Sequence, residues 1–257
     1  MRAELSWATT DAEKEAVYRL RYRINVEGQG FFKQEADHAH RRLEDSVDAC
    51  SRIVIAKVDG QIVGTVRLQW GGEAKISERL RREYDIRRFD GVVDECNVLI
   101  ATRIMVSPEY RGQGLAVRLL KEVFGFAASQ GVDLILGRCE FQLVDYYRKL
   151  GFRPFGDVYV HPTNGPRRLI AVLTADEEYL RQIGSPMLVV LLQRRQEARR
   201  LEELRTLLGE GSPRVEPALL PAFSRKVLSR KVLSRKVLSR KMLSRKVPAD
   251  SQVVCLQ

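Results

Sequence analysis

Apolar positions along the chain follow the two periods that distinguish strands from helices. Short apolar or alternating runs bounded by turn residues predict seven strands. These strands are expected at 3–8, 52–58, 62–70, 97–106, 132–136, 152–160 and 169–173. The pair Asp59-Gly60 between the second and third runs is a strong hairpin turn, so those two strands are predicted to be antiparallel neighbours.

Longer stretches carry apolar residues at helical spacing. Val17, Leu20 and Ile24 lie on one face of a helix that is predicted to begin at Thr10 or Asp11 and to end near residue 26. Further helices are predicted at 114–130, 141–150, 176–183 and 186–208, with a long loop at 27–51 and partly helical structure at 75–90. This order of elements predicts an α/β or α+β fold around a mixed sheet.

The last part of the chain differs in composition from the rest. We expect a folded domain at 1–183, a C-terminal helix at 184–210 and a tail at 211–257. The net charge of +11 is concentrated in this tail, because 224–246 holds ten Lys or Arg residues and no acid. Its repeat SRKVL advances about 140° per unit on a helix and therefore builds no apolar face. A disordered basic tail is predicted; the alternative is an arm that binds nucleic acid or an anionic membrane surface.

The cysteines and the apolar runs indicate the compartment. Cys50, Cys96, Cys139 and Cys255 are scattered without a CxxC pair, which argues against a zinc site or a disulfide framework and predicts no bound metal. The N-terminus lacks a signal-peptide core, and the longest apolar run, at 187–192, is far shorter than the ~20 residues that cross a bilayer. A cytoplasmic protein is expected.

A glycine-rich turn between a predicted strand and a predicted helix is the clearest chemical signal. The strand ends at Val106, and the string YRGQGLA at 110–116 opens the helix. Gly112 and Gly114 allow a sharp turn with exposed N–H groups, and the positive end of the helix dipole favours a pyrophosphate. Arg111 adds charge, and the small side chain of Ala116 permits close approach.

Two motifs resemble those of the GNAT N-acetyltransferase superfamily. The pattern Arg/Gln-x-x-Gly-x-Gly/Ala is satisfied by Arg111, Gly114 and Ala116, and YYRKLGF at 146–152 is similar to the family's second motif. The resemblance implies a mostly antiparallel twisted sheet flanked by helices, and an acyl-CoA or acyl-carrier-protein thioester as donor, with no permanently bound cofactor. It also implies a donor site that comprises Ile104, Met105, Val106, Arg111, Gly112, Gln113, Gly114, Leu115 and Ala116.

The resemblance also suggests how the reaction would be catalysed. Tyr147 matches the tyrosine that protonates the leaving thiolate in the family. A base must take the proton of the attacking amine, and Glu95, before the central strand, is the candidate chosen here. Asp94 and Glu140 are the competing carboxylates.

The N-terminal half is similar to acyl-homoserine-lactone synthases and N-acyl amino acid synthases. Arg21, Asp45, Asp48, Arg67 and Arg103 match in type and order the charged residues beside the donor in those enzymes, and they are the predicted substrate-binding residues. Two departures place lactone formation in doubt: Ile100 stands where those families have Glu, and Phe31-Phe32 replaces a tryptophan.

The sequence therefore predicts an N-acyltransferase that moves an acetyl or longer acyl group to an amine, and an amino acid is one candidate acceptor. Arg81, Arg82, Arg87 and Arg88 are interpreted first as a solvated charged face, and docking of an acidic carrier protein is the alternative. Two alternatives stay open: a catalytically inactive acyl-CoA sensor, and a protein that binds nucleic acid or membranes through its tail.

Overall fold

A computed structural model describes residues 3–161 and 165–207. The chain divides into two compact units, and the fold below belongs to Met1–Ala198. Of the second unit, Arg199–Ser251, only the end of a helix is described. The predicted tail at 211–257 lies outside the described residues.

Seven strands and six α-helices follow one another along the described chain. The strands are β1 (Glu4–Trp7), β2 (Arg52–Val58), β3 (Gln61–Trp70), β4 (Val98–Val106), β5 (Leu134–Glu140), β6 (Arg153–His161) and β7 (Gly165–Leu173). The helices are α1 (Asp11–Arg21), α2 (Glu78–Glu83), α3 (Leu115–Ser129), α4 (Val144–Leu150), α5 (Glu177–Gln182) and α6 (Leu188–Leu207).

The strands form a single sheet in the order β1-β2-β3-β4-β5-β7-β6. Every neighbouring pair is antiparallel except β4 and β5, which the crossover helix α3 connects as a parallel pair requires. That pairing ends where Ile100 faces Leu136, although both strands continue beyond it. We call the space between the later parts of these two strands the strand gap. The predicted mixed, mostly antiparallel sheet flanked by helices is confirmed.

The sheet buries a different core on each face. On one face, α3 and α4 pack Leu119, Phe124 and Tyr147 against β4 and β5. On the other face, α1 contributes Val17 and Leu20, and α2 contributes Leu80. The helices from the first half of the domain and those from the second half therefore cover opposite faces of the sheet, on either side of the strand gap.

Local signals explain most helix boundaries. Thr10 begins α1 with a capping box, in which its hydroxyl accepts from Glu13 N at 3.2 Å and the Glu13 carboxylate accepts from Thr10 N at 3.1 Å. The predicted helix to residue 26 changes its winding after Arg21 and continues as a π-helix over Tyr22–Gly28. Gly131 and Gly151 follow α3 and α4 with positive φ angles of 67° and 113°.

Three predicted boundaries were wrong. The strand predicted at 132–136 runs over Leu134–Glu140 and ends four residues later than predicted. The strand predicted at 169–173 begins already at Gly165, because Pro166 and Arg167 pair with β6 despite their polar, loop-like sequence. Proline is tolerated there since it stands near the start of the strand. The helix predicted at 141–150 starts with a 3₁₀ turn at Phe141–Leu143 before α4.

Gly151 is expected to be sensitive to a methyl group, because a Cβ there would lie 2.5 Å from Leu180 Cδ2. Gly131 is the matched control: it also follows a helix with positive φ, but a Cβ meets nothing within 4 Å. Gly131→Ala should cost about 1 kcal/mol through backbone strain alone. Gly151→Ala should cost a further ~1–3 kcal/mol from overpacking. Urea unfolding of both variants measures the difference, and equal losses would contradict the packing argument.

Candidate functional site

The glycine-rich turn has the geometry that its sequence predicts. After β4, a 3₁₀ turn at Pro108–Tyr110 leads to Gly112 and Gly114, whose φ angles are 74° and 73°. Gly114 is the N-cap of the 15-residue α3. A cysteine, valine or other L-residue would be strained at either glycine, and the first N–H groups of α3 have no acceptor within the helix. The turn is therefore a concave surface of N–H donors at the positive end of a helix dipole.

A cavity of about 170 Å³ lies over this turn. Six predicted donor-site residues line it: Val106, Arg111, Gly112, Gly114, Leu115 and Ala116. The Arg111 side chain is oriented by a hydrogen bond from its Nε to the Val106 carbonyl at 3.1 Å. Gln113 is exposed and donates to the Glu109 carbonyl at 3.3 Å, so its side chain does not line the cavity.

Ile104 and Met105 lie in β4 with fully buried side chains. Met105 pairs with Thr65 of β3, and its side chain packs against Leu20 and Ile24 of α1. Within the described chain, β4 pairs only with β3 beyond Ile100. The edge of β4 that faces the strand gap is thus not paired with β5 beyond Ile100.

The second motif places two tyrosines differently. Tyr147 is fully buried, and its ring packs edge to face on Phe152, with 5.5 Å between centroids. Tyr146 lines the cavity over the turn, and burial raises its pKa. Sequence reasoning singled out Tyr147 and missed Tyr146, which is the member of the pair that lies on the cavity wall.

Glu95 lies away from the turn. It belongs to a 3₁₀ turn before β4, and the nine-residue strand that separates it from the turn spans about 30 Å at ~3.3 Å per residue. Its carboxylate accepts from Ile76 N at 2.9 Å and from Arg81. The competing carboxylate of Glu140 lies 3.2 Å from Arg167. The structure does not bring Glu95 to the cavity over the glycine-rich turn, which we call the donor cavity because predicted donor-site residues line it.

The five predicted substrate-binding residues come together, and we call them the charged cluster: Arg21, Asp45, Asp48, Arg67 and Arg103. Arg21 Nη1 donates to both Asp48 carboxylate oxygens at 2.8 Å. Arg67 Nη1 donates to Asp45 Oδ2 at 2.6 Å and to Asp48 Oδ1 at 3.3 Å. Arg103 Nη2 donates to the same Asp45 oxygen at 3.2 Å. Residues from α1, the following loop, β3 and β4 thus meet at one place.

The charged cluster holds three guanidinium groups against two carboxylates. Burial lowers the pKa of Arg21 to about 10, although Asp48 opposes that shift. Burial and the neighbouring Arg67 lower the pKa of Arg103. Among the described residues, Arg21 Nε and Nη2 and Arg103 Nη1 have no hydrogen-bond partner. The cluster therefore carries an excess of positive charge with unsatisfied donors, which is costly in a buried place unless a ligand or water meets them.

Arg103 is held in an unusual backbone conformation. Its φ angle is +53°, and the register between β3 and β4 shifts there, so β4 carries a bulge. Its guanidinium lies 4.3 Å from the centroid of the Phe32 ring. The bulge turns a charged side chain of the central strand toward the cluster, as strain at functional positions commonly does.

The four arginines considered for carrier-protein docking are mostly engaged elsewhere. Arg81 is paired with Asp90 and Glu95, Arg87 with Glu78, and Arg88 with Asp85. Arg82 alone has none of these intramolecular ion pairs among the described residues. The structure therefore brings together no continuous patch of free positive charge from this group.

Sequence reasoning missed a second group of charged residues on the same sheet face as the charged cluster. Arg167 of β7 is 1% exposed, Arg138 of β5 lies with its guanidinium 5.6 Å from the Tyr84 ring centroid, and Tyr84 is buried. Strand alternation turns Arg167 inward and Arg168 to the other face. Because Arg167 and Arg168 are adjacent, the sequence does not indicate which of the two is buried.

Asp45 makes the charged cluster sensitive to pH. Burial acts to raise its pKa, but Arg67 and Arg103 outweigh burial and hold the pKa at about 2, against 3.8 normally. Ionised Asp45 therefore stabilises the folded state fully above about pH 4, and that stabilisation is lost as the pH falls toward 2. The unfolding free energy of wild type should exceed that of Asp45→Asn at about pH 5, and the gap should narrow by about pH 2.5. Urea titrations measure it.

The control for this experiment is Glu109→Gln, which removes an exposed carboxyl outside the cluster. Its unfolding free energy is measured by the same urea titrations. An Asp45→Asn difference that is independent of pH would contradict the ion pairs described above.

Residues 49–154 match the family model described as "Acetyltransferase (GNAT) domain". That stretch includes Arg67 and Arg103 of the charged cluster, the glycine-rich turn and the second motif. This part of the chain is similar to a GNAT domain, and the resemblance inferred from the two motifs is confirmed.

One curated relative is "N-acetyltransferase family 8 member 2" of Rattus norvegicus, which is 36% identical over 61 residues. The aligned segment covers 23% of this chain and 27% of the length of that relative.

Among the described residues, no helix is both long and apolar enough to cross a bilayer.

Solved structures share the fold over most of the chain. The CoA-dependent acyl-homoserine lactone synthase BjaI, with SAM and isopentyl-CoA, aligns with a TM-score of 0.57 at 18% identity, covering 76% of this chain and 100% of BjaI. FeeM, an N-acyl amino acid synthase from uncultured soil microbes, gives a TM-score of 0.56 at 15% identity, covering 73% of this chain and 97% of FeeM. At these identities, the likeness concerns the fold.

Proposed function

We propose that this protein is an N-acyltransferase that transfers an acyl group from a CoA or acyl-carrier-protein thioester to an amine. The observation that carries the proposal is the cavity at the N-terminus of α3, where the glycine-rich turn, Arg111 and the helix dipole converge. The GNAT family model over residues 49–154 supports the same reaction class, as do the enzyme names of BjaI and FeeM.

The donor is proposed to bind along the turn and β4. Its pyrophosphate accepts hydrogen bonds from the N–H groups of residues 112–116, with Arg111 adding positive charge. Its pantetheine follows the edge of β4 that faces the strand gap, near Ile104, Met105 and Val106. An N–H of that edge polarises the thioester carbonyl.

The acceptor amine is proposed to enter the strand gap from the sheet face that carries the charged cluster, opposite α3. Asp45 has 26% of its side chain exposed, and its lowered pKa keeps it ionised at neutral pH. An ionised carboxylate attracts the ammonium form of an incoming amine. Arg21, Arg67 and Arg103 hold both aspartates in place.

The chemistry needs a neutral amine and a protonated leaving group. The amine nitrogen forms a bond to the thioester carbonyl carbon, the carbon–sulfur bond breaks, and the amine loses a proton. Tyr147 is proposed to protonate the departing thiolate, since it lies beside Tyr146 with 5.4 Å between ring centroids, and Tyr146 lines the donor cavity. Glu95 is not assigned the base, because Arg81 and the Ile76 amide already bind its carboxylate.

A carboxylate at the turn should abolish donor binding. Gly114→Asp places a negative charge where the pyrophosphate binds, and CoA affinity should fall at least about a hundredfold. Gly131→Asp is the matched control, because it introduces the same side chain at a positive-φ glycine with open space at the other end of α3. Calorimetric titration with CoA compares the variants, and unchanged affinity in Gly114→Asp would refute the donor site.

The reaction itself is tested by following free thiol. The full chain is mixed with acetyl-CoA, octanoyl-CoA or octanoyl carrier protein and a panel of amines. Release of thiol that depends on an amine is expected, and the donor that works best identifies the acyl chain and carrier. CoA binding without thiol release from any donor would favour an inactive sensor and contradict the proposal.

Tyr147→Phe separates chemistry from binding. The variant keeps the ring that packs on Phe152 and loses only the hydroxyl. We expect kcat to fall about 10²–10⁴-fold with the Kd for CoA unchanged. A full kcat in this variant would remove Tyr147 from the mechanism, and the same change at Tyr146 then tests the other ring.

A further inference from the structure

A separate cavity of about 440 Å³ lies between α2 and the ends of β5, β6 and β7. Its lining combines three arginines with two acids, an aromatic ring and one aliphatic side chain: Arg82, Glu83, Arg138, Asp157, Tyr159, Arg167 and Leu169. We call it the arginine cavity. It shares no residue with the donor cavity or with the charged cluster.

Arg167 is the feature that needs an explanation. Its side chain is 1% exposed, and a guanidinium keeps its charge at any physiological pH. Glu140 Oε1 lies 3.2 Å from Arg167 Nη1, yet in the part of the chain that the structure describes, none of the three guanidinium nitrogens makes a hydrogen bond. A buried cation with five N–H groups and one neighbouring carboxylate is incompletely satisfied.

Charge is distributed unevenly from the floor of this cavity to its rim. Arg167 is buried and Arg138 half-buried, whereas Glu83 and Asp157 are exposed. Glu83 also lies 3.8 Å from Arg79 Nε. Exposed acids are screened by water and contribute little, so a ligand that reaches the floor meets two guanidinium groups.

The arginine cavity borders the strand gap. Arg138 is two residues beyond Leu136, the last residue of β5 that pairs with β4. The Tyr84 ring contacts Arg138, and the charges of Arg67 and Arg103 also act on Tyr84. Tyr84 is therefore close to both the arginine cavity and the charged cluster.

We propose that the arginine cavity binds the carboxylate of an amino-acid acceptor, with Arg167 and Arg138 as its donors. The role assigned to the arginine cavity rests on the proposed acyl transfer, whereas the binding of a carboxylate there does not. A planar carboxylate matches the fork of a guanidinium. A monoanion fits better than a phosphate dianion, because Glu140 already places one negative charge beside Arg167. Cavities of this size hold small molecules.

The test measures binding of defined probes to the full chain by calorimetry. The probes are L-leucine and L-phenylalanine, each compared with its C-terminal amide, and inorganic phosphate. Each amide keeps the amine and the side chain and lacks only the carboxylate charge. We expect the free amino acids to bind at least about tenfold more tightly than the amides. Equal affinities, no binding of either form, or tighter binding of phosphate would overturn the proposal.

Two variants assign that binding to the cavity. Arg167→Gln and Arg138→Gln should each weaken L-leucine at least about tenfold, while Arg181→Gln, an exposed arginine on α5, should not. Arg138 is only half-buried, so its variant decides the question if Arg167→Gln does not fold. Undiminished binding in Arg138→Gln would overturn the assignment.

The outcome is independent of whether the acyl transfer itself is correct. Thiol release with alkylamines that lack a carboxylate, at rates equal to those with amino acids, would support the transferase and contradict the arginine cavity. Carboxylate-dependent binding without thiol release would support the cavity and contradict the transferase.

Discussion

The parting of β4 from β5 is the constraint on which the rest of the structure depends. Backbone groups of a central strand normally pair on both edges, because unpaired ones are costly when buried. Here the pairing stops after three residue pairs, and a parallel connection through α3 fixes where the strands separate. The N-terminus of α3 then lies at the end of β4, and the space between the strands can accept a long, narrow molecule.

The charged groups are arranged around that opening. α1 and the loop after it place Arg21, Asp45 and Asp48 over β3 and β4, while β5 and β7 place Arg138 and Arg167 on the same face. The donor cavity lies at the α3 end. In the proposed reaction, the donor and the acceptor would thus arrive from different faces of the sheet and meet within the gap.

Much of the fold followed from the sequence because its signals are local. The alternation of β2 and β3, the hairpin at Asp59-Gly60 and the capping box at Thr10 depend on neighbouring residues. The glycine-rich turn could be located for the same reason, and the family resemblance brought Arg21 and Arg103 together although 82 positions separate them. Arg167 could not be predicted, since its burial depends on which face of β7 meets α2. The position of Tyr146 and the ion pairs of Glu95 likewise depend on tertiary packing.

The bulge at Arg103 has a consequence for any attempt to stabilise this protein. A non-glycine residue at positive φ costs about 1–3 kcal/mol, so glycine at this position would relieve strain and would also remove a buried charge. Selection for thermal stability alone would therefore be drawn to Arg103. The resulting variants would be more stable but would have one guanidinium fewer beside Asp45, so stability would be gained at the expense of the proposed substrate recognition.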